Sequence, residues 1–441
     1  MNTARHIIKY VLIFLLVLCM LFALLVGSAL IPREAVKPKI LESAEYMCEN
    51  TTLYLLTDFL QASKIDHYAD CITLSIAYYL DENNPVESAL WSSYYGMNSN
   101  IMNHYLLESV INDDVSPNQE YLRYWHGSAG LIRFLHLFWN IKTIYIFHAV
   151  LMAGLYILLL YLLIKKGMLP EAWAFTFSMI IISVWYVPLC LEYTWMFLVT
   201  FVAALIAIYL SLKQQYKSIG VFFLITGMVA AYLDFLTTET LTLLIPLLFI
   251  LRIRSRQGDG ENLKLTIKSC FLWSAGFVGM WVSKWTLASV FLNQNVMHYV
   301  TGHVDERLSG KIANMQGNYI LSATIKNLKC LFPYEYGFSG AVLIFVFIIV
   351  VVIIPVMKDK VVLRQSINQS MIPIYAVLAL LPFIRFAVLR NHSYIHCFFT
   401  HRALASSVLA LCFIVLELVQ LNPRKAVMKN AKPHHPDALP E

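Results

Sequence analysis

Charge is scarce in this chain: only 14% of its 441 residues are Asp, Glu, Lys or Arg, against 59% hydrophobic, and the mean hydropathy is +0.63. Soluble domains carry about 25% charged residues, so an ordinary soluble enzyme is excluded. Also missing is the Gly-x-x-x-x-Gly-Lys-Ser/Thr loop that cradles nucleotide phosphates, which argues against an ATP-driven pump built from this chain alone. No basic block follows the pattern of a nucleic-acid backbone, so the net charge of +6 bears on topology and not on nucleic acid. The eight cysteines include no Cys-x-x-Cys pair, leaving neither a zinc ribbon nor a thioredoxin-like motif. Cys48 with Cys71, or Cys330 with Cys397, can pair if both members face an oxidising side. Long alternating strands and internal repeats are lacking too, which points away from an outer-membrane barrel and an inverted-repeat transporter.

What remains is apolar runs of about 18–22 residues, the length that crosses a ~30 Å hydrocarbon core as helix. Their spacing predicts an all-α membrane protein with about ten transmembrane helices: a first within 1–31, then 143–164, 171–191, 194–212, 219–236, 239–251, 269–290, 338–357, 370–389 and 402–421. The basic residues test this topology. Lys165, Lys166, Lys213, Lys217, Arg252, Arg254, Arg256, Lys358, Lys360 and Arg364 all fall in short loops on one side, as cytoplasmic loops require. The turns around Glu192 and from Asp234 to Glu239 hold acids and no Lys or Arg. The reading is a multi-pass protein of the cell membrane with both termini cytoplasmic and 422–441 as a disordered tail. Three polar pieces then face outside: a large helical extracytoplasmic loop, 32–142, with amphipathic helices, and the loops 291–337 and 390–402, which belong to a bundle spanning 143–421.

Candidate chemistry collects in those pieces. Asp66 and Asp70 stand four apart, one turn of a helix, and two neighbouring carboxylates supply a general base or oxygen ligands for a divalent cation, with a solvated helix end as the plain alternative. On a continuous helix over 121–140, Arg123, His126, Arg133, His136 and Asn140 fall within one arc of about 140°. Such a basic stripe at headgroup level suits a lipid-linked phosphate, which Arg grips bidentately, or simply anionic membrane lipid. Three histidines and two arginines occupy 390–402, among them His392, His401 and Arg402; their spacing matches no common zinc site, and phosphate or sugar contact is the reading. Glu192 and Glu239, beside aromatic and threonine residues, suit sugar hydroxyls or are polar turn residues.

One membrane span, a large outside loop with acids and amphipathic helices, then a bundle of further spans: this layout resembles the GT-C membrane glycosyltransferases. The resemblance implies that a carboxylate of the first outside loop acts as base, or helps hold a metal, while an acceptor hydroxyl attacks a sugar carried on polyprenyl phosphate. Asp66 and Asp70 match that role, although the family's acids usually stand nearer the first span, where this chain has Glu34 and Glu45. Arg133, His392, His401 and Arg402 are, by residue type and inferred side, the candidates for holding the departing phosphate. The expected function is therefore transfer of a sugar from a polyprenyl-phosphate donor to a cell-surface glycan or lipid acceptor. A lipid-linked saccharide flippase or transporter, or a surface-polysaccharide polymerase or ligase, is the alternative.

Overall fold

The computed structural model describes residues 2–112, 114–258, 260–309, 318–333, 342–343, 345–346, 361–363 and 370–421. The expected span 338–357 and the tail 422–441 lie almost wholly outside the described residues. Elsewhere the chain is the all-α membrane protein that its composition demands. Seven helices among the described residues are long and apolar enough to cross a bilayer: Ile7–Ala29, Ile141–Lys165, Leu191–Leu212, Tyr216–Leu233, Asn262–Phe291, Met371–Val388 and Cys397–Leu418.

Two expected spans take another form. The stretch 171–191 breaks into a 13-residue helix, Leu169–Ile181, and a 3-10 turn, Val184–Leu189. Ser183 adopts φ +56° and Pro188 follows, so a continuous hydrogen-bond ladder is impossible there. The stretch 239–251 extends into the 17-residue helix Leu241–Gln257, buried at every position from Leu241 to Arg254. It is a central pillar rather than a lipid-facing helix. Its Arg252 donates to Glu171 at 2.9 Å and to Glu417 at 2.6 Å, joining three helices at the end of the bundle away from the first loop.

Close helix approach needs small residues, since lipid supplies no hydrophobic drive between helices. Gly227 and Gly276 provide it where Ile219–Leu233 crosses Asn262–Phe291. A Cβ at Gly227 would overlap the Trp273 carbonyl, and one at Gly276 the Leu224 carbonyl.

The first loop is helical as expected, with one addition, an antiparallel hairpin pairing Leu53–Leu55 with Lys64–Asp66. Its helices are α1 (Arg33–Cys48), α2 (His67–Tyr79), α3 (Pro85–Trp91), α4 (Met102–Ile111) and α5 (Gly127–Leu135). Lys284, on a membrane-spanning helix, locks this loop to the bundle. Its ammonium is fully buried and donates to the carbonyls of Ala89 (3.1 Å) and Leu90 (2.7 Å), the negative end of α3. Lys284→Met removes the donor and leaves those acceptors dry. It is expected to cost about 2 kcal/mol, read as a lowered midpoint in thermal unfolding of the detergent-solubilised protein.

Candidate functional site

The site begins with a failed helix. Continuous helix over 121–140 is corrected by the structure: only Gly127–Leu135 is regular, because His126 sits in the left-handed region at φ +52°. Gly127 follows with its Cα against the Tyr232 ring, where no Cβ fits. The basic stripe is thereby divided. Arg133 and His136 turn into the loop's own packing, whereas Arg123 and His126 point to a separate place.

That place is a polar chamber of about 130 Å³. Its walls come from four of the segments singled out in the sequence: Asp66, Tyr68 and Ile72 from the start of α2; Tyr121, Arg123, Tyr124 and His126 before α5; Glu192 from the first turn of Leu191–Leu212; and His392, His396 and Phe399 from the 390–402 turn. Phe235 and Tyr94 complete it. Every one of these residues lies in the first loop or near the end of a span, so the chamber sits at one end of the bundle and not at its midplane.

Asp66 is the N-cap of α2, accepting from the Ala69 N–H at 3.0 Å, and its own N–H donates to the Cys190 Sγ. Burial pushes its carboxyl up to about 6, against the pull of the Ala69 N–H and Lys64. Glu192 is buried beside it, and its Oε2 has no hydrogen-bond partner. A buried carboxylate oxygen left without a donor is rare in native proteins and marks a position where a ligand hydroxyl would be satisfied. His126 is boxed by Tyr121, Phe235 and Tyr124, with ring centroids 4.5, 4.8 and 6.2 Å away. Burial drives its pKa well below the ordinary value, so it is neutral at pH 7. His392 and His396 pack ring to ring at 4.7 Å, and His396 stacks on Phe399.

The remaining candidates lie outside the chamber wall. Asp70 is fully buried one turn along α2, and its two oxygens take three donors: the Tyr145 hydroxyl at 2.5 Å and the backbone N–H groups of Leu191 and Glu192 at 2.9 and 3.2 Å. It caps the very helix that presents Glu192. Burial still pushes its carboxyl up to about 7. Asp66 and Asp70 thus face different surroundings despite sharing a helix, and among the described residues no group of three His, Cys, Asp or Glu side chains is arranged to hold a metal ion. Arg133 donates to the carbonyls of Ala77, Tyr78 and Ile31, tying the end of α2 to the exit of the first span. His136 bonds Ser43 at 3.0 Å and the Ile132 carbonyl at 2.8 Å, and burial lowers its pKa to about 4. His401 bonds the Cys397 carbonyl, and Arg402 lies over the Tyr193 ring and reaches the Ala62 carbonyl at 3.2 Å. Glu239 pairs with Arg385 at 2.6 Å in the wall of a neighbouring cavity.

That neighbour is apolar and much larger, about 590 Å³, lined by Leu243, Trp273, Phe277, Trp281, Ile384 and others from the bundle. Arg123 and Tyr124 belong to its wall and to the chamber's. A third, polar cleft of about 490 Å³ shares Arg123, Tyr94 and Tyr121 with the chamber and adds Asn118, Gln119, Glu120 and Tyr299. Arg123 therefore stands at the meeting point of three cavities. Its guanidinium is held over the Tyr121 ring at 4.8 Å and faces Tyr124 at 5.8 Å, and its carbonyl accepts from the Trp285 indole. Asp66, Arg123, His126, Glu192 and His392 stand out in the sequence by residue type, whereas the aromatic frame of Tyr68, Tyr94, Phe235 and Phe399 does not. With aromatics at 14% of the chain, nothing marks four of them individually.

No protein-family model, curated protein or solved structure matches this chain.

Proposed function

We propose that the protein is a membrane glycosyltransferase that takes a sugar from a polyprenyl-phosphate donor and passes it to a hydroxyl of a glycan or lipid acceptor on the outer face of the membrane. The observation that carries this reading is the shared wall: one arginine, Arg123, borders both a large apolar cavity and a small chamber with two carboxylates. A prenyl chain suits the apolar cavity, its phosphate suits the arginine fork, and the sugar suits the aromatic and carboxylate lining. The polar cleft gives a hydroxyl-bearing acceptor a route from water to the same arginine.

In this reading the acceptor oxygen attacks the anomeric carbon of the sugar while Asp66 takes the hydroxyl proton. The bond from that carbon to the phosphate oxygen breaks, and the electron pair leaves with polyprenyl phosphate, where Arg123 balances the growing charge. Glu192, through its unpartnered oxygen, binds a sugar hydroxyl; His126 and His392 add neutral or donor contacts. Asp70, Arg133, His401 and Arg402 position the segments that carry these groups. A flippase reading is less well supported, because a transport path requires polar groups near the membrane midplane, whereas this chamber lies at the bundle end.

The test is transfer of labelled sugar from polyprenyl phosphate by the reconstituted protein. Its pH dependence has a definite sign. Below about pH 6 Asp66 is protonated and cannot accept the acceptor's proton, so kcat/KM falls about tenfold per pH unit on the acid side and levels off above it. A rate that rises on acidification through this range would remove Asp66 as the base.

A further inference from the structure

We infer that Cys330 and Cys397 are joined by a disulfide in the mature protein, on the reading that the chamber end of the bundle faces an oxidising compartment. Cys330 caps the C-terminus of the helix Tyr319–Lys329, and Cys397 opens the short helix Cys397–Thr400. Both are buried, and the helices Tyr319–Lys329 and Cys397–Thr400 pack against each other. With Leu60 and Ala62 they form a small apolar cluster separate from the main core. Two thiols from distant parts of the chain thus share one small buried cluster at a helix end, the arrangement from which a disulfide forms. Cys48 and Cys190 are placed differently: the Cys48 thiol donates to the Asn103 carbonyl, and the Cys190 sulfur accepts from the Asp66 N–H.

The chemistry is a two-electron oxidation. One S–S bond forms, two S–H bonds break, and two protons leave. The electrons pass to a disulfide-bearing oxidoreductase of the compartment, whose own disulfide becomes a dithiol. Because both sulfurs are buried once the chain is folded, the exchange accompanies folding. The bond matters for the site because of what it joins. Cys397 directly follows the turn bearing His392 and His396, and Ala62, which accepts from Arg402, lies in the hairpin that leads to Asp66. The disulfide thus ties the end of the 390–402 turn's helix covalently to the helix Tyr319–Lys329, against the hairpin that leads to Asp66.

The experiment is differential alkylation of the full-length protein, taken directly from membranes in denaturant with a maleimide present, then reduced, labelled with a second reagent and read by peptide mass spectrometry. The expected result is second label alone on Cys330 and Cys397, with first label on Cys19 and Cys48. First label on both Cys330 and Cys397 overturns the disulfide. A parallel arm with the exposed Asn98→Cys variant, treated on intact cells with a membrane-impermeant maleimide, separates the causes. Labelled Asn98→Cys with free thiols at 330 and 397 sinks the disulfide alone, and an unlabelled Asn98→Cys sinks the assigned sidedness with it. As a stability readout, dithiothreitol lowers the thermal midpoint of the wild type by ~5 °C and leaves Cys330→Ser unmoved; an equal drop in both contradicts the bond.

Discussion

Asp66→Asn is expected to lower the rate of the proposed sugar transfer by about 10²–10⁴-fold while leaving the protein folded. The two halves of that expectation come from the same geometry. Asp66 is a helix N-cap through its Oδ1, and Asn caps as well as Asp, so the Ala69 N–H keeps its acceptor and α2 keeps its start. What the amide lacks is the capacity to take a proton. Asp70→Asn gives the opposite pattern. Its carboxylate answers three donors, the Tyr145 hydroxyl and the N–H groups of Leu191 and Glu192, and an amide NH2 would have to face at least one of them. The expected outcome is a lowered thermal midpoint, with activity lost chiefly through misplacement of Glu192. Initial rates and unfolding curves of the two variants side by side distinguish the roles; an Asp66→Asn protein with wild-type turnover would show that the base is elsewhere.

Arg123→Lys reduces kcat by about 100-fold, and Arg123→Ala by more, with a smaller rise in the KM for donor. In the proposed transfer the charge on phosphate grows as the sugar departs, so the guanidinium would contribute most in the transition state. Lysine keeps the charge but not the planar fork, and its ammonium does not stack over Tyr121 as Arg123 does at 4.8 Å. The residue also separates an apolar cavity from two polar ones, a position that a shorter or more hydrated side chain fills poorly. Donor turnover by the two variants, measured at saturating acceptor, checks this. An Arg123→Lys protein with unchanged kcat would mean that phosphate is held elsewhere.

Much of the membrane architecture was legible because the hydrocarbon core imposes a length and forbids charge. Seven of the expected spans correspond to the helices Ile7–Ala29, Ile141–Lys165, Leu191–Leu212, Tyr216–Leu233, Asn262–Phe291, Met371–Val388 and Cys397–Leu418. Hydropathy finds an apolar segment but does not say whether lipid or protein surrounds it. Leu241–Gln257 reads like a span and is enclosed, with three arginines in its last turns. The 171–191 break was signalled by Pro188, but nothing in the sequence announces the left-handed Ser183.

For the site, residue type was informative and periodicity was not. Asp66 and Asp70 share a helix, yet the approach of Leu191–Leu212 decides which of them faces the chamber and which becomes that helix's cap. Arg123 and Arg133 look equivalent on a helical wheel. The left-handed His126 between them sends one to the meeting of three cavities and the other to the carbonyls at the end of α2. Such outcomes depend on long-range packing, which local spacing does not encode.

The central claim is that one arginine joins a prenyl-chain cavity to a sugar chamber. It is tested most directly by photo-crosslinking the reconstituted protein with a polyprenyl phosphate carrying a photoreactive group on its isoprenoid chain. The account predicts adducts on Trp273, Phe277, Trp281 and Ile384, the lining of the apolar cavity, and their loss in Arg123→Ala at the same lipid concentration. Adducts confined to outward-facing positions such as Leu12, Leu16 and Val150, unchanged in Arg123→Ala, would contradict it.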